Sequence, residues 1–128
     1  ALDIFDVFHT LDREKILKEF CKYPEKLSQK SFFIQINTGK EETKSGIYPE
    51  KTEEFLNLCY SYGIKNIKGL MCIPPINEEP NKHFKLISAI SKDLGLEGLS
   101  IGMSGDYEDA LKYNPTYIRL GTILFGKR

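Results

Sequence analysis

Short apolar runs alternate with apolar stripes at helical spacing along this chain, and this alternation restricts its fold more than any other feature. The stripes keep apolar residues on one side of a helix, as in Phe84, Ile87, Ile90 and Leu94. Strand-forming residues fill the runs at 4–8, 32–36, 67–73, 98–102 and 116–120. Strands that alternate with helices indicate an α/β fold with parallel strands.

The length of the chain leaves two architectures open. Its 128 residues suit one domain, residues 1–128. One candidate is a doubly wound open sheet, and the other is part of a (β/α)₈ TIM-type barrel. Complete barrels need about 200 residues or more, so the barrel interpretation requires that about three strand–helix units are absent from this chain.

Charge and cysteine content exclude several classes of partner. Eighteen basic residues balance eighteen acidic ones, so charge gives no reason to expect nucleic acid or an anionic membrane as a partner. The three cysteines form no CxxC pair, which argues against a zinc site and a disulfide scaffold. The chain shows no charged-then-apolar leader and no apolar run near about 18 residues. We therefore expect a cytoplasmic protein without a membrane span.

The segment 100–106 (Ser-Ile-Gly-Met-Ser-Gly-Asp) is the first candidate binding segment. In parallel α/β folds, binding residues gather at the carboxyl ends of strands. This segment runs from such an end into a helix start, where free N–H groups and the helix dipole favour an anion. Ser104 adds a hydroxyl. The simpler alternative is that Ser104 only caps the helix.

The segment 119–122 (Arg-Leu-Gly-Thr) repeats this arrangement at the next strand. Gly121 frees a backbone amide and Thr122 offers a hydroxyl. Barrels commonly bind phosphate with the loops after their last two strands, so two such turns in succession predict a phosphate site. Arg119 lies on the strand itself. It forms either an ion pair with Asp106 or Glu108, or a fixed cation against a ring nitrogen or a carboxylate.

Other strand-end residues are weaker candidates. They lie at 9–10, 37–39 and 73–74. We expect His9 and His83 to be structural or solvent-facing, the cysteines to be core or near-surface thiols, and residues 40–44 to form a solvated turn of mixed charge. The sequence predicts no catalytic set and no metal-binding set of residues.

Five motifs occur in an order that resembles a known family. They are Gln-Ile-Asn at 35–37, Glu-Thr-Lys-Ser-Gly at 42–46, Gly-Leu-Met-Cys-Ile-Pro at 69–74, Leu-Ser-Ile-Gly-Met-Ser-Gly-Asp at 99–106 and Ile-Arg-Leu-Gly-Thr at 118–122. With this order and spacing, the chain is similar to the pyridoxal phosphate homeostasis protein family, also called the YggS-like or proline synthase co-transcribed family. The match covers essentially the whole chain.

The resemblance implies a fold, a cofactor and a site. The fold is a (β/α)₈ barrel of the alanine racemase N-terminal kind, of which residues 1–128 would supply about the last five strands, strands 4 to 8. The ligand is pyridoxal 5′-phosphate (PLP), held for vitamin B6 homeostasis by a non-catalytic carrier, with apo PLP enzymes as recipients. Ser104, Gly121 and Thr122 match the phosphate contacts, Arg119 matches the arginine at the pyridine nitrogen, and Met103 completes the cofactor-binding set.

The chain departs from the family pattern in one respect. The family's Schiff-base lysine lies on the first strand, whereas residues 4–8 correspond to about the fourth. No lysine here matches that lysine, since Lys44 belongs to a different motif. We therefore expect either a fragment of a longer protein or a half-barrel that dimerises to cover its open sheet edges. The alternatives in function are a fragment of an alanine racemase-like PLP enzyme and a barrel that binds another phosphate ester.

Overall fold

The strands and helices follow the predicted alternation. The computed structural model describes residues 7–23, 25, 30–42, 45–75, 77–102, 107–113, 115, 117–120 and 123–126. The strands are β1 (Val7–Leu11), β2 (Ser31–Gln35), β3 (Ile67–Met71), β4 (Gly98–Ser100), β5 (Tyr117–Leu120) and β6 (Ile123–Gly126). The described helices are α1 (Glu14–Phe20), α2 (Thr52–Ser61), α3 (Pro80–Asp93) and α4 (Tyr107–Ala110), with short 3₁₀ turns at Pro49–Lys51 and Leu111–Tyr113.

The strand order decides between the two architectures that the sequence leaves open. Among the described strands the order is β1-β2-β3-β4-β5-β6, and each neighbouring pair from β1 to β5 is parallel. A doubly wound sheet reverses its order at a switch point, whereas a barrel adds each new strand on the same side. The chain therefore has an α/β fold with the sequential parallel sheet of a partial barrel.

Strand β6 corrects the sequence interpretation, which treated the residues after 122 as a short tail. This strand pairs antiparallel with β5, with Ile123 opposite Leu120 and Phe125 opposite Ile118. A parallel sheet ends in unpaired backbone N–H and C=O groups, and the apolar run after β5 provides partners for them. The described sheet thus has six strands rather than the predicted five.

The strand boundaries also differ from the predicted ones. β1 continues to Leu11 instead of ending at residue 8, and predicted residues 4–6 lie outside the described part of the chain. β3 ends at Met71 rather than at Ile73. Pro74 and Pro75 follow, and proline cannot donate a backbone hydrogen bond to a neighbouring strand. The chain therefore leaves the sheet before the prolines.

One face of the sheet packs against the helices, and we call it the helix-facing face. Alternate residues of a strand share a face, so Phe32, Ile34 and Ile36 lie together on this side. The buried cluster on this face also contains residues of β3 and β4 or just after them (Leu70, Cys72, Leu99 and Ile101) and residues of the helices (Leu17, Phe55, Leu56, Cys59, Phe84 and Ile87). The helical stripes read from the sequence are therefore the surfaces that cover the sheet.

The opposite face of the sheet carries the alternate residues. Phe33, Met71 and Ser100 are buried there, although they lie outside the helix-facing cluster. Gly69 and Gly98 pair in register on neighbouring strands. A Cβ at Gly69 would overlap the carbonyl oxygen of Gly98, and a Cβ at Gly98 would lie 3.0 Å from Phe33 Cε2. Two glycines are therefore required where these backbones meet.

No helix in the described part of the chain has the length and apolar content needed to cross a membrane.

Candidate functional site

The two predicted phosphate-binding segments begin from neighbouring strands. β4 and β5 are parallel, with Ser100 in register with Tyr117. Carboxyl ends of neighbouring parallel strands lie at the same edge of a sheet, so the two segments start side by side. Gly102, two residues after the end of β4, has φ 99°, a conformation that glycine adopts without strain.

The residues predicted to contact the cofactor are not tested by this structure. Met103, Ser104, Gly121 and Thr122 lie outside the described residues. The backbone of Arg119 belongs to β5, where it pairs with Leu124 of β6, and the position of its side chain is not described. The assignment of these five residues therefore stays a prediction.

The loop after β2 is held by the side chain of Asn37. Asn37 Nδ2 donates to the carbonyl oxygen of Glu41 at 2.7 Å, and the backbone N–H of Glu41 donates to Asn37 Oδ1 at 3.1 Å. The backbone N–H of Asn37 donates to the carbonyl oxygen of Ile47 at 2.8 Å, beside the isolated bridge between Ile36 and Ile47. Asn37 is buried, and its amide is occupied in fixing this loop.

Close contacts fix the same loop on both sides. A Cβ at Gly39 would lie 2.5 Å from Pro75 Cγ, which shows how tightly the loops after β2 and β3 meet. Gly46 has φ 119°, and a Cβ there would lie 2.8 Å from the backbone nitrogen of Asn37. These contacts hold the described part of the loop against the start of the loop after β3 and against the backbone of Asn37.

Lys40 is the charged residue that anchors this loop. It has φ 53°, in the left-handed region, and Lys40 Nζ lies 2.6 Å from Glu50 Oε2. This hydrogen bond is the main reason why the pKa of Glu50 is lowered from its ordinary value. Both side chains are half exposed, so the pair contributes little to stability. Residues 43 and 44, the rest of the predicted turn, lie outside the described part of the chain.

Thr38 differs from Asn37, whose side-chain oxygen and nitrogen are both hydrogen-bonded, in having a buried hydroxyl without a hydrogen-bond partner. Thr38 is 7% exposed, and Thr38 Oγ1 makes no hydrogen bond. A hydrogen bond from the Lys40 N–H to the Asn37 carbonyl oxygen, 3.1 Å, closes the turn around it. A buried polar group without a partner costs about 1–3 kcal/mol. The sequence points only to strand-end positions 37–39, and it does not distinguish Thr38 from Asn37.

The other described polar residues at strand ends already have partners. Asp12, after β1, is paired with Arg13 Nε at 3.3 Å. Ser100, at the end of β4, is buried and also engaged. Ile73, after β3, is an exposed apolar side chain. Among the described residues at strand ends, Thr38 is therefore the one with a buried hydroxyl that has no hydrogen-bond partner.

His83 has the structural role expected of it, although it is buried rather than solvent-facing. His83 Nε2 lies 2.9 Å from Glu78 Oε1, and the ring is almost fully buried in α3. This contact, followed by the one from Lys82, lowers the pKa of Glu78. His83 Nδ1 is buried without a hydrogen-bond partner. The side chain of His9 is not among those described.

The cysteines are core or near-surface thiols, as predicted. Cys59 and Cys72 are buried, and Cys21 is partly exposed. Burial raises the pKa of the Cys59 thiol to about 12, so this thiol stays protonated and unreactive. In the part of the chain that the structure describes, no group of three His, Cys, Asp or Glu residues could hold a metal ion.

Two cavities are lined mainly by helices. One, of about 300 Å³, is lined by α3 and by Leu96 and Glu97, which precede β4. The other, of about 550 Å³, is a groove between Glu14 of α1 and residues of α2 such as Phe55. Neither coincides with the predicted phosphate-binding segments.

Comparison with known families agrees with this geometry. The family model described as "Alanine racemase, N-terminal domain" matches residues 1–128. The chain belongs to this family. Within it, the chain belongs with the pyridoxal phosphate homeostasis proteins. The relative from Aquifex aeolicus is 36% identical over 134 residues, which cover 95% of this chain and 58% of the relative. The relative from Vibrio cholerae is 33% identical over 133 residues, which cover 97% of this chain and 56% of the relative.

Solved structures show the same fold in members of this family. PipY of Synechococcus elongatus, determined without PLP, superposes with a TM-score of 0.80 at 23% identity, over 95% of this chain and 62% of PipY. The structure of PipY with PLP bound has a TM-score of 0.73. At this identity the likeness establishes the fold alone. The chain spans a little more than half the length of the curated relatives described above.

Proposed function

We propose that residues 1–128 form strands 4 to 8 of a barrel that binds PLP, and that the protein carries this cofactor for vitamin B6 homeostasis without turning over a substrate. The observation that carries the proposal is the family match over the whole chain, with relatives named as pyridoxal phosphate homeostasis proteins. The sequential parallel sheet supports it, because neighbouring strands β4 and β5 lead into the two predicted phosphate-binding segments. We further propose that the protein is cytoplasmic and delivers PLP to apo enzymes.

The proposed site uses Met103, Ser104, Gly121 and Thr122 around the phosphate and Arg119 at the pyridine nitrogen. Described features at the same edge fit a phosphorylated ligand. Gly102 lets the backbone turn at the end of β4, and Thr38 has a buried hydroxyl without a partner. When bound, PLP supplies an aldehyde that reacts with a lysine amine. In the proposed correspondence that lysine belongs to strand 1, so these residues bind PLP without a covalent bond.

Titration with PLP tests this function directly. We expect saturable binding by the purified protein, measured by the absorbance of PLP and by calorimetry. Ser104→Ala together with Thr122→Ala should weaken binding about 10-fold or more, because two hydrogen bonds to a charged phosphate are lost. Ser88→Ala, in the cavity beside α3, is the matched control and should bind normally.

Three results would contradict the proposal. Absence of PLP binding by the unmodified protein would remove its basis. Binding of a sugar phosphate without affinity for PLP would favour a different phosphate ester as ligand. Turnover of an amino acid in the presence of PLP would instead support the alternative of an enzyme related to alanine racemase.

A further inference from the structure

Thr38 lies at the same edge of the sheet as the proposed PLP site but at a different strand. β2 ends at Gln35, and the bridge residue Ile36, then Asn37 and then Thr38 follow it along the chain. β3 separates β2 from β4, so Thr38 and the first phosphate-binding segment are about two strand spacings, or roughly 10 Å, apart. A phosphate held at the ends of β4 and β5 therefore leaves Thr38 to meet another part of the ligand.

From this placement we infer that the Thr38 hydroxyl hydrogen-bonds a polar substituent on the ring of the phosphorylated ligand. The inference rests on the proposed function, and it adds a ligand contact that the sequence does not identify. Asn37 cannot take this role without releasing Glu41, because its side-chain oxygen and nitrogen both hold the loop. PLP carries a ring hydroxyl and an aldehyde oxygen, and either can pair with a threonine hydroxyl.

The surrounding turn is built to hold Thr38 in place. The 3.1 Å hydrogen bond from Lys40 to Asn37 closes the turn, Gly39 packs against Pro75, and Lys40 is paired with Glu50. The backbone therefore cannot easily move to give the hydroxyl a protein partner. The side chain itself rotates about one bond between staggered positions, so the direction of the hydroxyl can change while the backbone stays fixed.

A second threonine provides the matched control. Thr52, at the start of α2, is also buried, but its hydroxyl donates to the carbonyl oxygen of Pro49 at 2.9 Å. Valine has nearly the shape of threonine and lacks the hydroxyl. Thr38→Val removes a hydroxyl without a partner, whereas Thr52→Val removes one that is satisfied. The two substitutions should therefore change the stability of the unliganded protein in opposite directions.

The test measures thermal midpoints without ligand and affinities for PLP and for inorganic phosphate. We expect Thr38→Val to raise the unliganded midpoint by about 2–5 °C and to weaken PLP binding about 3- to 10-fold. Thr38→Ser, which keeps the hydroxyl, should bind PLP within about 2-fold of the unmodified protein. Inorganic phosphate, which has no ring, should bind Thr38→Val normally. Thr52→Val should lower the midpoint and leave the affinity for PLP unchanged.

Three outcomes would overturn the inference. Unchanged PLP affinity in Thr38→Val would show that solvent or the protein satisfies the hydroxyl. A parallel loss of affinity for inorganic phosphate would place Thr38 at the phosphate instead of the ring. If the unmodified protein binds no PLP, the proposed function and this inference fail together, whereas the first two outcomes leave the proposed function intact.

Discussion

The two faces of the sheet are packed by different means. The helix-facing face is filled by large apolar side chains, such as Ile34 and Leu70, that meet apolar stripes of the helices. The opposite face combines Phe33 and Met71 with the contact between Gly69 and Gly98, where side chains are absent because two backbones approach each other. The first face depends on buried volume, and the second depends on the absence of a Cβ at two positions. Substitutions on the two faces should therefore destabilise the protein for different reasons.

Gly69→Ala should have the largest effect, because the added Cβ would overlap the carbonyl oxygen of Gly98. Neither backbone can move without breaking the register between β3 and β4, so we expect a loss of about 4 kcal/mol or more, or failure to fold. The measurement is the free energy of unfolding in urea. Gly63→Ala is the control. Gly63 has φ 84° with no described atom near its Cβ position, so that variant should lose only about 1–2 kcal/mol. Equal losses in both variants would show that the backbone contact is unimportant.

Leu70→Ala tests the helix-facing face. Leu70 is fully buried, and its truncation should cost about 2–5 kcal/mol through lost burial and the cavity left behind. Leu86→Ala, on the exposed side of α3, should change the free energy of unfolding by less than about 0.5 kcal/mol. If the two leucine variants are equally stable, the helices do not pack on this face as described.

Glu78 lies outside both faces and should have a smaller effect, limited to acidic pH. Its pKa is lowered by His83 and then Lys82, so the carboxylate contributes stability above the ordinary carboxyl pKa. That contribution is lost as the pH falls through the lowered pKa. Thermal midpoints measured from pH about 6 to about 3 should therefore fall more steeply in the unmodified protein than in Glu78→Gln. The exposed Glu97→Gln serves as the control, and parallel curves for the unmodified protein and Glu78→Gln would contradict the role of Glu78.

The rates of thiol labelling should report how well the helix-facing cluster protects a buried cysteine. Cys59 lies in the helix-facing cluster with its pKa raised to about 12, whereas Cys21 is partly exposed. In native protein at pH about 8, an aromatic disulfide reagent should react with Cys21 at least about 10-fold faster than with Cys59. Cys21→Ser should abolish the fast phase. Fast labelling of Cys59 in that variant would show that the helix-facing cluster opens readily.

The sequence predicted most of the elements and the cluster on the helix-facing face. The stripe that contains Phe84 and Ile87 reports burial directly, because residues three and four apart share one side of a helix. Motif order also identified the family correctly. Strand β6 was not predicted, because the short apolar run at Ile123–Gly126 can be recognised as a strand only once its partner β5 is known. The five predicted cofactor contacts stay a prediction, since four of them and the side chain of Arg119 lie outside the described part of the structure.

By itself, the sequence determined the alternation of strands and helices and the residues that cover the helix-facing face. These features follow from short-range periodicity. Only the tertiary structure decided that the strands add in sequence order, that β6 pairs with β5, and that Gly69 must meet Gly98. It also separated Asn37, whose amide holds a loop, from Thr38, whose hydroxyl has no partner. Each of these features depends on what distant residues place beside a strand, and no local pattern carries that information.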